Sequence, residues 1–196
     1  MRTIRLMLLL VVFLAGPVLA QDSGQKRTAL LIVDIQEFYF PGGALPLVDP
    51  LPAALNAGRV LEEFRKAGDL VVHVGHNASQ GKEFHAEVMP VPGEQIFYKD
   101  EVSAFNGTGL LAYLQKQGVG KLVIVGMQTH MCLEGATRAA YDLGFECVVV
   151  QDACATRDLK YNGDVIAARD VHLSTLKTLQ GGYAKVVDTD AWLQQH

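Results

Sequence analysis

The sequence predicts a single α/β domain in which helices cover both faces of a parallel β-sheet. Short apolar runs such as residues 28–33 have no polar face, which is typical of strands that are buried on both sides. Between these runs lie longer segments with an apolar stripe at helical spacing. Because strands that alternate with helices favour right-handed crossovers, we expect a three-layer, doubly wound fold.

Length and composition limit the classes of protein that this chain can represent. It has 196 residues, of which 49% are apolar and 19% charged, and its formal net charge is −4. A chain of this length buries about 70% of its unfolded surface, which is enough for one substantial core. These values exclude a disordered chain, a collagen-like fibre and a dedicated nucleic-acid binder. We expect a small molecule as the partner, and no nucleic acid.

The first 20 residues have the pattern of a secretory signal peptide. A basic start, residues 1–5, precedes the apolar run 6–15, and Val18 and Ala20 occupy the −3 and −1 positions of a cut before Gln21. The run is shorter than the about 20 residues that a membrane span needs, and a buried helix or an anchor is the alternative. We therefore expect an exported protein, periplasmic in a Gram-negative cell and otherwise secreted. Its mature domain is 21–196, with no membrane attachment after cleavage.

The first half of this domain contains three predicted strands and one predicted helix. Thr28–Asp34 is an apolar strand, and Pro50–Lys66 has a helical apolar stripe that a glycine follows. Leu70–Val74 and Gln95–Tyr98 are the second and third strands. The irregular stretch between them, residues 77–94, is rich in Gly, Pro and His, and long loops of this kind often line a site.

The second half alternates strand and helix in the same way. Gly109–Gln117 is a helix followed by a glycine, Lys121–Val125 is a buried strand, and Thr129–Leu143 is the helix that follows it. The last predicted elements are a strand at Phe145–Val150, a helix near residues 163–180 and a short strand at Lys185–Val187.

Residues just past the strands are the candidates for chemistry, because ligands bind at the carboxyl ends of parallel strands. They are Asp34, His76, Lys99 and the segment 126–132. With Thr129 as the helix cap, Cys132 falls in the first turn, where the positive end of the helix stabilises a thiolate. The alternative is a core cysteine, since Cys132 also lies on an apolar helical stripe.

Asp34 and Lys99 complement a reactive thiol. Asp34 ends an apolar strand, so partial desolvation raises its pKa and makes it a usable base; a helix cap or a loop brace is the alternative. Lys99 at the end of the third strand would hold a nearby aspartate and cysteine in their ionised forms, whereas a solvated lysine is the alternative. An acid, a cation and a thiol all fall at strand ends, and this coincidence favours catalysis.

Four ordered motifs resemble the isochorismatase-like cysteine hydrolases. The resemblance extends over nearly all of residues 28–190. The motifs are Leu31–Gln36 (LIVDIQ), Pro92–Glu94 leading to Lys99 and Ser103–Phe105, Gly126–Cys132 (GMQTHMC), and Asp152–Ala155 (DACA).

The resemblance implies a six-stranded parallel sheet and catalytic roles for Asp34, Lys99 and Cys132. It also implies a cis peptide between Met127 and Gln128, and an oxyanion hole formed by the backbone N–H groups of Gln128 and Cys132. Cys132 would form a thioester, with Asp34 as base and then acid. Some members lack the cysteine and cleave a vinyl ether, so its presence favours an amide-like C–N bond. Oligomers are common in this family, and we expect a homo-oligomer.

The remaining site predictions concern the pocket walls and metal binding. The side chains expected near the substrate are Tyr39, Phe40, His76, Phe105 and His130, with packing under a loop as the alternative. Nicotinamidase-like members carry a metal-binding Asp-x-His pair, but here the second strand leads into VGHN. His76, His85 and His130 are only loosely spaced, so we expect no metal and no cofactor, and nicotinamide is not the expected substrate.

Other classes of protein remain as alternatives. A non-catalytic small-molecule binding domain would keep the same fold. A nucleotide-cofactor enzyme is disfavoured because no G-x-G-x-x-G follows the first strand, and a redox role because the chain has no C-x-x-C. Cys147 lies in a predicted buried strand, so a Cys147–Cys154 disulfide is not expected.

Overall fold

Residues 26–195 form eight strands and five α-helices. The structure, a computed structural model, describes residues 26–195, so the predicted signal peptide 1–20 lies outside the described residues. The strands are β1 (Arg27–Val33), β2 (Leu70–His76), β3 (Gln95–Lys99), β4 (Val119–Met127), β5 (Glu146–Ala155), β6 (Leu159–Tyr161), β7 (Asp164–Ile166) and β8 (Lys185–Val187). The helices are α1 (Pro50–Ala67), α2 (Leu110–Lys116), α3 (Glu134–Asp142), α4 (Ala168–Gln180) and α5 (Thr189–Leu193).

Six of the strands form one parallel sheet in the order β3-β2-β1-β4-β5-β8, which confirms the predicted fold class. The chain proceeds from β1 outward to β3 and then returns to place β4 on the other side of β1. The strand order therefore reverses between β1 and β4. In a sheet of this kind the crevice for a ligand opens at that point, outside the carboxyl ends of the strands.

Two apolar cores, one on each face of the sheet, hold the three layers together. The first is covered by α1 and α5 and includes Leu61, Phe64 and Trp192. The second is covered by α2, α3 and α4 and includes Leu114 and Leu176. Within residues 26–195 no helix is both long and apolar enough to cross a membrane.

The end of β5 differs from the prediction, which stopped the strand at Val150. The strand runs on to Ala155 after a change of register against β4, where Ile124 pairs with Val149 but Gly126 pairs with Cys154. Gln151 and Asp152 interrupt the apolar run, so periodicity alone ends the strand too early. Asp152 has a structural role there, because its Oδ1 accepts hydrogen bonds from both the N–H and the hydroxyl of Thr189.

The predicted helix near residues 163–180 is wrong over its first part. An antiparallel hairpin of β6 and β7 precedes α4, and its turn residues Asn162 and Gly163 have φ values of 50° and 91°. Two consecutive positive φ values are what a tight hairpin turn requires, and Asn-Gly is the dipeptide that favours it. That dipeptide was the sequence signal for the hairpin. The short helix α5 is a second element absent from the prediction.

A buried polar network anchors the chain just before β3. Glu94 pairs with Arg65 of α1 at 2.7 Å and with Nε2 of the buried His73 of β2 at 2.8 Å. Burial alone would raise the pKa of Glu94, but hydrogen bonds from Arg65, the Val91 N–H and His73 lower it to about 2. These bonds fix the entry of β3, at whose other end Lys99 stands.

Gly126 permits the close approach of β4 to β1 beside the predicted site. Its φ is +144°, and a Cβ atom placed there would collide with the carbonyl oxygen of Val33. Val33 directly precedes Asp34, and Gly126 precedes Met127 and Gln128. A side chain at this position would therefore separate the two strands whose ends form the crevice.

We expect Gly126→Ala to lower the free energy of unfolding by about 2 kcal/mol or more, since it combines an unfavourable φ with a backbone collision. Gly182→Ala is the matched control, because its φ is not in the left-handed region and no atom lies within 4 Å of the added Cβ. Urea unfolding of both variants measures the difference. Equal stabilities for the two variants would contradict the close approach of the strands.

Candidate active site

The ammonium group of Lys99 contacts the other two side chains predicted for catalysis, Asp34 and Cys132. Its Nζ lies 2.7 Å from Asp34 Oδ2 and 3.3 Å from Cys132 Sγ. The side chains of Asp34 and Lys99 are wholly buried, and Cys132 is 6% exposed. The ion pair with Lys99 compensates the buried Asp34 carboxylate.

The backbone places these groups at the carboxyl edge of the sheet. Asp34 follows β1 with φ 52°, a conformation that aspartate tolerates, and its N–H donates to the Val74 carbonyl at 2.8 Å. Lys99 is the last residue of β3 and is in register with His76 of β2. His76 and Lys99 are the last residues of β2 and β3, whereas the predicted strands ended before them, at Val74 and Tyr98.

Burial controls the protonation of the two acidic groups. It raises the pKa of Asp34 above its ordinary value, against the opposing effect of Lys99. Burial, and after it the Asp34 carboxylate, raise the pKa of the Cys132 thiol to about 12. The Lys99 ammonium opposes this shift of the Cys132 pKa, so burial and the cation act in opposite directions on the thiolate that the sequence predicts at the helix start. The Asp34 carboxylate lies beside Cys132 and can accept its proton.

The turn that carries Cys132 also differs from the predicted helix. Residues Thr129–Leu133 form a π-helical turn, after which α3 begins at Glu134. Gln128, with an extended backbone, is the cap residue, and no side chain caps the turn. The peptide bond between Met127 and Gln128 is cis, as the family resemblance implied.

Three of the residues predicted to bind substrate lie at this cluster or at the turn that carries Cys132. His76 Nδ1 is 3.4 Å from Lys99 Nζ. The Tyr39 hydroxyl accepts a hydrogen bond from Gln128 Nε2 at 3.3 Å, and burial raises its pKa. His130 Nδ1 lies 2.6 Å from Thr156 Oγ1, and burial and then the charge of Arg157 lower the pKa of His130.

The other two predicted wall residues pack against different neighbours. Phe40 is buried and stacks on His85 with ring centroids 3.8 Å apart. Phe105 is half-buried, packs against the second core and stacks on Phe145 with ring centroids 6.1 Å apart.

Sequence reasoning missed Arg157, which borders the cluster. Its Nε donates to Gln128 Oε1 at 3.1 Å, so it fixes the Gln128 amide that faces Tyr39. Arg157 lies two residues past the end of β5. The other site residues were predicted because they lie at or just past the ends of strands. Because the predicted strand stopped at Val150, Arg157 was not recognised as a strand-end residue.

The histidines considered as metal ligands do not converge. His76 is beside Lys99, His85 is beside Phe40, and His130 is beside Thr156. Among the side chains of residues 26–195, no group of three His, Cys, Asp or Glu is arranged to hold a metal ion. The three cysteines are buried and free, so Cys147 and Cys154 are not paired.

Comparisons with known proteins agree with this fold. The chain matches the isochorismatase domain over residues 28–191. It is 39% identical over 178 residues to the Bacillus subtilis isochorismatase family protein YddQ, covering 85% of this chain and 99% of that protein. It is also 27% identical over 190 residues to nicotinamidase 3 of Arabidopsis thaliana, covering 87% and 89%.

A solved structure extends this similarity to three dimensions. The crystal structure of an isochorismatase hydrolase from Oleispira antarctica is 39% identical, covers 87% of this chain and 97% of that chain, and superposes with a TM-score of 0.83. The chain therefore belongs to the isochorismatase family of cysteine hydrolases. It is a hydrolase of this family, with the family's six-stranded parallel sheet.

The buried ion pair predicts a characteristic double-mutant cycle. We expect Asp34→Asn and Lys99→Met each to lower the free energy of unfolding by about 3 kcal/mol, because each leaves an uncompensated buried group. The double variant is expected to lose less than the sum, because it removes both charges. Chemical unfolding of the four proteins measures the coupling. Additive losses would show that the two groups do not interact.

Proposed function

We propose that this hydrolase cleaves an amide-like C–N bond of a small molecule, with Cys132 as nucleophile and Asp34 as general base and acid. The observation that supports the proposal is the position of Lys99 Nζ, 2.7 Å from Asp34 Oδ2 and 3.3 Å from Cys132 Sγ. One buried cation thus adjoins both a proton acceptor and a nucleophile. No cofactor is needed for this chemistry.

The acylation step begins with proton transfer from Cys132 to Asp34. Sγ attacks the carbonyl carbon, and the carbonyl oxygen becomes an oxyanion. The raised pKa of Asp34 favours this transfer, and Lys99 stabilises the sulfur anion that forms. When the tetrahedral intermediate collapses, the C–N bond breaks and the Asp34 proton goes to the leaving nitrogen, which gives a thioester on Cys132.

The backbone N–H groups of Gln128 and Cys132 serve as the oxyanion hole in this proposal. Both residues belong to the turn between β4 and α3, and Gln128 is 2% exposed. Donors held in such a dry site are effective because they need no reorganisation when the negative charge develops. The hydrogen bond from Arg157 holds the Gln128 side chain beside the site.

Deacylation uses the same groups in reverse. Asp34, again a carboxylate, takes a proton from water, and the hydroxyl oxygen attacks the thioester carbon. The C–S bond breaks, the acid product leaves, and the proton on Asp34 returns to Cys132. Tyr39, His76 and His130 are the side chains proposed to contact the substrate. His76 adjoins Lys99, Tyr39 accepts a hydrogen bond from Gln128, and His130 belongs to the turn that carries Cys132.

The thiol favours C–N cleavage over cleavage of a vinyl ether. A thioester route requires a nucleophile, and the Cys132 thiol beside Lys99 supports this route, whereas vinyl-ether hydrolysis does not need the cysteine. The similarity to nicotinamidase 3 gives further support for an amide substrate. Nicotinamide itself is not proposed, because the Asp-x-His pair is absent from the VGHN sequence.

We expect Cys132→Ala to reduce ammonia release from an accepted small amide, urea or carbamate by at least about 10³-fold, because the nucleophile is lost. Cys147→Ala is the matched control, since Cys147 is equally buried but lies in β5 away from Asp34. A coupled assay for ammonia measures both. Wild-type turnover by Cys132→Ala would rule out the thioester route.

The alternatives give different outcomes in the same experiment. Turnover of a vinyl ether that persists in Cys132→Ala would identify an isochorismatase-type reaction. Saturable binding of a small molecule without turnover by the wild-type protein would identify a non-catalytic binding domain.

We also propose that the chain is exported and forms a homo-oligomer. Export is supported by the signal-peptide pattern of residues 1–20, and it predicts a mature protein that begins at Gln21. Intact mass of the protein recovered from the periplasm or the medium tests the cut, and retention of Met1 in a cytoplasmic protein would contradict it. Light scattering on the purified protein tests assembly, and a monomeric mass would exclude it.

A further inference from the structure

Two hydrogen bonds join the turn that carries Cys132 to the chain after β5. Thr129 Oγ1 lies 2.9 Å from His172 Nδ1, and His130 Nδ1 lies 2.6 Å from Thr156 Oγ1. Thr129 is fully buried. The sequence predicted that Thr129 caps the helix, but its hydroxyl does not cap the turn and is directed toward α4 instead.

The turn needs support from outside because its own hydrogen bonds are irregular. The Gln128 carbonyl accepts from the N–H of Met131 at 3.0 Å and from that of Leu133 at 3.3 Å. A π-helical turn has a less regular bonding pattern than an α-helix, and such turns are frequent at functional sites. Contacts with neighbouring elements are therefore what fixes the direction of the Cys132 side chain.

Helix α4 offers a firm attachment for this turn. The N–H of Ala168 donates to Asp158 Oδ1 at 2.7 Å, and Val171, Leu176 and Leu179 are buried in the core of the domain. His172 lies between these anchors and also lines a groove of about 360 Å³. A smaller side chain at position 172 would therefore have open space around it in this groove.

The Thr129–His172 bond is directional, and the charge state of the ring permits it. Burial lowers the pKa of His172, so the ring is neutral and its Nδ1 accepts from the Thr129 hydroxyl when Nε2 carries the proton. If the His172 ring is removed, the fully buried Thr129 hydroxyl loses its partner. The pair therefore selects one orientation of the turn.

We propose that His172 is a positioning residue for the nucleophile: through Thr129 it holds the π-helical turn that aims Cys132 Sγ at the substrate. This inference rests on the proposed function. It assigns to α4 the role of holding the nucleophile in position, which is separate from the chemical roles of Asp34, Lys99 and Cys132. His172 itself does not touch the reacting atoms.

Four substitutions and a control test the proposal. Thr129→Val removes the hydroxyl at constant shape, and Thr129→Ser keeps it. His172→Ala removes the hydrogen-bond acceptor of the Thr129 hydroxyl, and His172→Asn retains an acceptor near the position of Nδ1. Thr178→Val is the matched control, because Thr178 is an exposed threonine of α4 whose hydroxyl donates only to the Ser174 carbonyl among the described contacts.

We expect Thr129→Val and His172→Ala each to lower kcat by about 10- to 100-fold with KM changed less than about threefold, since a small misplacement of a reacting group costs this much. The double variant should be no slower than the worse single variant. Thr129→Ser and His172→Asn should recover most of kcat. Wild-type kcat in both disruptive variants, additive losses or failure of the conservative variants to recover would overturn the proposal.

Alkylation of Cys132 by iodoacetamide gives a second readout that needs no substrate. A loosened turn should expose the sulfur, so Thr129→Val and His172→Ala should be alkylated at least about fivefold faster than wild type at one pH, followed by peptide mass spectrometry. Unchanged rates in both would overturn the positioning role. If Cys132→Ala stays active while these rates do change, the proposed function fails and the positioning of the turn stands.

Discussion

The contact of one buried ammonium group with a carboxylate and a thiol is the interaction on which the site depends. Lys99, Asp34 and Cys132 are withdrawn from water, and an uncompensated charge there would cost several kcal/mol. Transfer of the thiol proton to Asp34 moves the negative charge from one neighbour of Lys99 to the other. The total charge of the cluster stays constant, so the surroundings need little reorganisation. A raised thiol pKa is thus compatible with catalysis, because the base adjoins the thiol.

The sheet explains why these three residues meet. They come from the ends of β1 and β3 and from the turn after β4, and parallel strands bring their carboxyl ends to one edge. Gly126 lets β4 approach β1 closely, while the Glu94 network fixes the start of β3. Residues far apart in the sequence are therefore held within hydrogen-bonding distance of one another. The strands that hold them pack against an apolar core on each face of the sheet.

Strand-end reasoning predicted Asp34, Lys99 and Cys132 because fully apolar strands are unambiguous and their ends define the ligand crevice. It failed where polar residues lie inside an element, so β5 was ended at Val150 and Arg157 was missed. The second strand of the hairpin before α4 was predicted as helix, although Asn162-Gly163 carried the signal for a turn. The π-helical turn and the pairing of Thr129 with His172 depend on tertiary contacts, and no local pattern in the sequence encodes them.

The most direct test of this chemistry is the covalent intermediate itself. Wild-type protein mixed with an accepted amide and quenched in acid within the first turnover should gain the mass of the acyl group, and peptide mapping should place that group on Cys132. The acyl mass should be absent from Cys132→Ala and should disappear on treatment with hydroxylamine, which cleaves thioesters. Turnover by wild type with no acyl group on Cys132 at any quench time, together with an unimpaired Cys132→Ala variant, would contradict nucleophilic catalysis by this residue.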